Sequence, residues 1–314
     1  MEEFKLTNRR TFVKNISLAG LAMPFINLTT KKINNKRKLT ILHTNDMHSH
    51  IDPFPISDNE YPGLGGMTRI ATLIDNVRNF EKNVLLLDAG DIFQGTPYFN
   101  RYKGELELRL MSRMGYAAST MGNHDFDNGI DGFSKVMHNA KFPFLCSNYD
   151  FKNTILEYKT KSHEIIYIGK LKIGIIGIGI ELKGLVNEIN YKETKYLDPI
   201  EIANHWSKHL KLNEKCDLII CLSHLGFKYE INKISDVELA KKTKNIDVII
   251  GGHTHTFLQK AITIKNLDNK KVIINQAGWG TLALGRIDIE FNKRLDNNDE
   301  LSIEQKQIKN YAKI

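Results

Sequence analysis

The 314-residue chain is poor in cysteine and in long apolar runs, and it lacks a basic stripe. Each shortage removes a class of protein. The three cysteines, Cys146, Cys216 and Cys221, are an odd number in a long chain, so a disulfide scaffold is excluded. Cys221 sits inside the apolar run Leu218–Leu222, where a free thiol behaves as a small hydrophobe. Buried, inert thiols are expected at all three positions. No apolar run reaches the roughly 20 residues that a bilayer-spanning helix needs, so no stable membrane anchor is expected. No run of Lys and Arg interleaved with aromatics occurs, which removes nucleic acid as an expected partner. Residues 39–291 hold no internal repeat and no low-complexity linker. What is present is 41% hydrophobic and 25% charged residues, enough to bury a sizeable core in a soluble globular unit. The formal net charge of +8 gives a modest field that attracts anionic substrates.

Arg9 and Arg10, inside Asn8 to Lys14, precede the apolar stretch Ile16 to Phe25. Paired arginines ahead of a short apolar segment resemble a twin-arginine export signal. Ser17, Ala19, Gly20 and Ala22 keep that stretch only moderately apolar, and no small-x-small triplet marks a cleavage site. Lys31, Lys32, Lys36, Arg37 and Lys38 follow as a basic linker. Residues 1–38 are therefore expected to be an export signal and linker, and the protein to be periplasmic or extracellular.

Beyond Leu39, short apolar runs alternate with amphipathic segments. Strands are expected at Leu39–His43, Val84–Leu87, Ala117–Met121, Leu218–Leu222 and Val248–Ile250. Helices are expected at Met67–Phe80, with Ile70, Leu73, Ile74 and Val77 on one face, and at Glu105–Met114, Asp131–Asn139, Ile200–Leu212 and Val237–Thr243. Pro199 suits the first position of its helix. Phe144–Ser147 reads as extended. Ile165–Ile168 and Leu171–Ile178 flank Gly169 and Lys170 as a hairpin, and Lys271–Asn275 and Ala283–Phe291 read as closing strands. This pattern predicts a mixed α/β domain over 39–292, with helices covering a sheet or pair of sheets. Residues 293–314 read as a polar, peripheral tail in which Ile308 and Tyr311 can dock.

Five polar clusters follow five of the expected strands: Asp46 and His48; Asp91; Asn123 and His124; His224; His253 and His255. A lone Asp-x-His is a weak signal, because turns are rich in such residues. Five such clusters, each just beyond a strand, are stronger, since α/β sites form past the carboxyl ends of strands. Phosphoester hydrolysis needs a strong nucleophile at neutral pH and positive charge to absorb the phosphoryl oxygens. Two divalent metals roughly 3.5–4 Å apart supply both. Mixed nitrogen and oxygen donors suit Zn, Mn, Fe or Co better than an all-oxygen Ca or Mg cage.

The residues Leu42 to His48, Gly90 to Thr96, Gly122 to Asp127, Ser223 to Gly226 and Gly251 to His255 resemble, in that order, the five motifs of the calcineurin-like metallophosphoesterases, and within them of the 5′-nucleotidase catalytic domain. The third motif more often has Glu where this chain has Asp125. The resemblance implies a four-layer α/β/β/α sandwich. It implies one metal on Asp46, His48 and His255, a second on Asn123, His224 and His253, and Asp91 bridging them. His124 is then left to face the phosphoryl group, with Asp127 fixing its tautomer. A metal-bound hydroxide would attack phosphorus in line on a phosphomonoester, nucleotides among the substrates.

Other histidines read as bland. His205 and His209 have zincin spacing, but Trp206 stands where the Glu of that motif belongs. His43 reads as a core histidine and His50 as a bystander. Asp88 and Asp125 are expected to support ligands through hydrogen bonds. Gly63 to Gly66 reads as a helix-entry turn. No counterpart of the family's second, substrate-binding domain is expected in these residues. This leaves open a stand-alone phosphatase, the catalytic half of a complex with a separate substrate-binding chain, and a phosphodiesterase or nucleotide-sugar hydrolase. A non-enzymatic metal-binding protein would have no use for an unligated His124 beside Asp127.

Overall fold

The computed structural model describes residues 37–231, 233–293 and 299–309. The export signal expected upstream lies outside them. The first strand, β1 (Arg37–Thr44), begins two residues earlier than expected, because Arg37 and Lys38 pair with Phe291 and Glu290. Lys38 also reaches Glu81 at 2.7 Å.

The first sheet has five strands: β1, β2 (Val84–Asp88), β3 (Ala118–Ser119), β12 (Ala283–Lys293) and β13 (Asp299–Lys309), in the order β13-β12-β1-β2-β3. β1, β2 and β3 run parallel, and β12 joins antiparallel to β1. The second sheet has six strands: β5 (His163–Ile168), β6 (Leu171–Ile178), β8 (Leu218–Ser223), β9 (Val248–Gly251), β10 (Ile262–Lys265) and β11 (Lys271–Asn275), in the order β10-β11-β9-β8-β6-β5. A small pair, β4 (Tyr149–Asp150) with β7 (Lys195–Tyr196), stands apart.

Strand alternation builds the layers. Leu39 and Ile41 of β1 and Leu85 and Leu87 of β2 face Leu218, Ile220 and Leu222 of β8 in one core between the sheets. Leu42 and Leu86 point the other way, into a core with helices α1 (Met67–Phe80), α3 (Glu105–Met114) and α4 (Gly129–Val136). Ile219 and Cys221 point outward to helices α6 (Pro199–Lys208) and α7 (Asp236–Lys242). Helix, sheet, sheet and helix are thus stacked, and all three cysteines are buried and free.

Both α1 and α3 have the expected bounds. Other elements differ for local reasons. Only Ala118–Ser119 of the third expected strand pairs with β2, because the Ser119 backbone then turns to the extended segment, Leu145 N donating to Ser119 O at 2.7 Å. Asp198 caps α6 by accepting from the backbone N–H groups of Ile200 and Glu201, and the helix widens into a π turn over His209–Asn213. Several elements were not expected from the sequence: α2 (Pro97–Tyr102), the short helix α5 (Glu188–Tyr191) and the strands β4, β7 and β10. The polar tail is also corrected in part, since Asp299–Lys309 adds an edge strand through backbone pairing that needs no apolar side chains. Tyr311 lies outside the described residues. Among the described residues, no helix is long and apolar enough to cross a membrane.

Candidate metal centre

The loops beyond β1, β2, β3, β8 and β9 converge. Asp46, His48 and His255 bring one donor atom each within 4.8 Å of one another, and so do Asp91, His224 and His253. The two groups touch. Asp91 Oδ2 lies 3.0 Å from His224 Nε2 and 3.9 Å from His48 Nε2, and Asp46 Oδ1 lies 3.9 Å from His224 Nε2. Asn123 joins the second group, its Oδ1 2.8 Å from His253 Nδ1. All seven residues expected to hold metal are therefore in one place. His43 is fully buried within β1, and His50 stacks on Phe54 at 4.2 Å, so neither enters a group. His205 and His209 flank Trp206 on α6 and the π turn that follows it.

Backbone conformation makes the convergence possible. Asp46, His48, Asp91, His253 and His255 all have positive φ, between 47° and 73°. Such strain persists only where surrounding contacts enforce it, and it clusters at functional sites. Close approach explains two glycines. A Cβ on Gly122 would lie 2.2 Å from Asp91 Oδ1, and one on Gly252 would lie 2.8 Å from His224 Nδ1.

Buried hydrogen bonds then fix the carboxylates. Asp46 accepts from the backbone N–H of His253 at 2.9 and 3.0 Å and from Asn45 Nδ2 at 2.6 Å. Asp125 accepts four backbone N–H groups: Asp91, Ile92, Phe93 and Gly122, at 2.8–3.2 Å. Asp88 accepts from Thr44, Ser119 and the backbone of Gly90. The support expected of Asp88 and Asp125 thus runs through ligand-loop backbone. Gln276 holds the fifth loop, donating to Gly252 O and accepting from Thr256 N, both at 2.5 Å. Sequence reading passed over Asn45, Gln276 and Trp279. Only their position beside ligand loops singles them out.

His124 stands outside both groups. Its ring centre lies 5.2 Å from that of His48, and its Nδ1 lies 2.8 Å from Asp127 Oδ2. That hydrogen bond raises the imidazole above its ordinary range against the opposing pull of burial. Burial, and then the neighbouring His224, push His253 down to about 4, so it is a neutral donor near pH 7. Burial also lowers His48. At His224 burial works against charge, but Asp91 and Asp46 outweigh it and lift the imidazole to about 10. His224 Nε2 is completely buried, with Asp91 Oδ2 3.0 Å away but not aligned as a hydrogen bond. His48 Nε2 and His255 Nε2 face each other at 3.0 Å. A buried imidazole nitrogen against a carboxylate, a facing nitrogen pair and two buried carboxylates form a donor set that fits divalent cations.

Two stacked sheets with ligand loops gathered at strand ends define a metallophosphoesterase-type architecture. The family described as calcineurin-like phosphoesterase matches residues 39–257, and the chain belongs to it. It is 39% identical over 230 residues to a snake venom 5′-nucleotidase of Naja atra, covering 70% of this chain and 42% of that protein. The 5′-nucleotidase precursor of Thermus thermophilus superposes with a TM-score of 0.74 at 30% identity, covering 86% of this chain and 55% of that one. The NAD nucleotidase of Haemophilus influenzae superposes at 0.75 and 29%, with the same coverage. The chain spans less than half the length of the venom protein.

Proposed function

We propose that this protein is a dinuclear-metal-dependent phosphoester hydrolase acting on phosphomonoesters, nucleoside 5′-monophosphates among them. The observation that carries this reading is the pair of adjacent donor groups, Asp91 of one lying 3.9 Å from His48 of the other, with His124 and Asp127 beside them but in neither. Asp46, His48 and His255 would hold one ion, Asn123, His224 and His253 the other, and Asp91 would bridge. Zn, Mn, Fe and Co suit these donors. When bound, the pair supplies positive charge to the phosphoryl oxygens and acidifies water.

The chain's own residues do the rest. Asp127 accepts from His124 Nδ1, which fixes the tautomer and leaves Nε2 as the nitrogen free to exchange a proton with substrate. The same carboxylate favours the imidazolium form, from which His124 can pass a proton to the leaving oxygen. His124 N–H donates to Asp91 Oδ1 at 2.7 Å, tying the acid to the bridging carboxylate. The two pocket glycines keep the loops close enough to exclude bulk water from the carboxylates. A panel of phosphomonoesters, phosphodiesters and nucleotide sugars with Mn, Zn and Co tests the reading. Turnover of monoesters that survives in H124A with metal still bound would overturn it.

One observation favours a second form of the same reading, in which a separate chain completes the substrate site. Ile56, Ile231 and Phe257 are exposed, and they lie on the loops that follow β1, β8 and β9, three of the strands bearing the site. Efficient hydrolysis of AMP by the purified chain alone, with strong base preference, would exclude that form. Export by the twin-arginine route belongs to the proposal as well. An R9K/R10K variant exported as efficiently as the parent would remove it.

A further inference from the structure

We propose that Trp279 orients His255 for metal binding, doing by ring stacking what a hydrogen bond does for other histidines of the centre. The inference rests on reading Asp46, His48 and His255 as a metal site. Metal-binding imidazoles are normally held by a hydrogen bond on the nitrogen away from the ion. His48 Nδ1 meets Phe93 O at 3.3 Å, and His224 Nδ1 meets Ala89 O at 2.7 Å. His255 differs. Its Nε2 faces His48, and among the described residues no hydrogen bond reaches its Nδ1. Its side chain is also 39% exposed, whereas those of Asp46 and His48 are 0% and 7% exposed. Left alone, such a ring samples rotamers that point its donor atom away from the site.

The Trp279 ring supplies the missing constraint. It lies parallel to the His255 ring within 7°, with centroids 5.4 Å apart, an offset stack. Trp279 is in turn held by a cluster of rings from residues 50–61. Phe54 and His50 meet its ring edge-on at 5.4 Å, and Tyr61 at 6.1 Å. Asn45 accepts from Ala277 N–H at 2.8 Å and donates to Gly278 O at 2.6 Å, and Gly280 N–H donates to Asp46 O at 2.8 Å. Gly278 and Gly280, at φ +75° and +60°, make the turn that presents the indole. Asn45 also binds the Asp46 carboxylate. One amide therefore sets both a carboxylate donor and the loop that sets an imidazole donor of the same group.

The test is metal release from the full chain loaded with Zn, measured by chelator competition, in W279L, W279F and H255A beside the parent. W279L keeps apolar bulk against Phe54 and Tyr61 but loses the aromatic face, and W279F keeps a face. We expect W279L to weaken one of two bound ions about 10- to 100-fold, the range for loss of an orienting partner. The other ion should be unchanged, and W279F should recover most of the loss. Parental affinity for both ions in W279L would overturn the proposal, and so would joint loss of both ions, which would mark collapse of the loops. H255A separates the two levels. If it leaves both ions bound with parental affinity, the metal reading of His255 itself is wrong.

Discussion

The substitution D125N would break a support shared by two loops of the centre. Asp125 is fully buried. Its Oδ2 accepts from Asp91 N and Gly122 N, and its Oδ1 accepts from Ile92 N and Phe93 N. All four neighbours are donors, so the site has a place for two oxygens and none for an NH2 group. An asparagine can turn its one oxygen toward only one of these pairs, which leaves two backbone N–H groups facing an amide nitrogen. Each buried donor left unmatched costs about 1–3 kcal/mol, so the variant should lose about 2–6 kcal/mol. Total stability of a domain is about 5–15 kcal/mol, which makes that a large fraction. Urea unfolding of parent and D125N, with chelator present so that metal linkage does not contribute, measures the difference. A loss below about 0.5 kcal/mol would refute the claim that Asp125 is the common anchor of the second and third loops.

Three further outcomes follow from the same contacts. D127N keeps the shape beside His124 but removes the charge. We expect a fall in kcat of at least tenfold with metal content unchanged, and equal kcat in parent and variant would contradict the role of the pair. G122A places a methyl group 2.2 Å from Asp91 Oδ1 and 2.6 Å from His224 Cε1. It should lower metal content and activity together, as read by elemental analysis on folded protein. Asp288 is buried among partners: burial raises its pKa, but the Arg286 guanidinium at 2.9 Å and the Thr40 hydroxyl at 2.7 Å outweigh it and hold the carboxyl below its usual value. A depressed folded-state value stabilises above the unfolded-state value of about 4 and is lost as pH falls through the folded value. D288N should therefore be less stable than the parent at pH 7, with the gap closing in acid; a gap independent of pH would contradict this.

Much of the centre was legible because strand and ligand signals reinforce each other. Leu39–His43, Val84–Leu87, Leu218–Leu222 and Val248–Ile250 are buried strands with unmistakable apolar runs, and the polar residue types just after them carry chemistry that a plain turn does not need. Position along the chain then located the loops, though 207 residues separate His48 from His255. Less legible was whatever depends on three-dimensional neighbours. The carboxamides of Asn45 and Gln276 read as ordinary polar loop residues, and their importance lies in backbone groups brought from distant parts of the chain. Trp279 reads as one more core aromatic until its ring is found parallel to His255. Edge strand β13 was missed for another reason: Asp299–Lys309 holds only Leu301, Ile303 and Ile308 as apolar residues, a weak signal beside its many polar ones.

The central claim is that two metal ions sit side by side with Asp91 between them. Anomalous scattering from crystals grown with Zn or Mn, collected at the absorption edge of that metal, tests it most directly. The account predicts two peaks roughly 3.5–4 Å apart, one among Asp46, His48 and His255, the other among Asn123, His224 and His253, with Asp91 touching both. A single peak, or two peaks that Asp91 does not join, would contradict it.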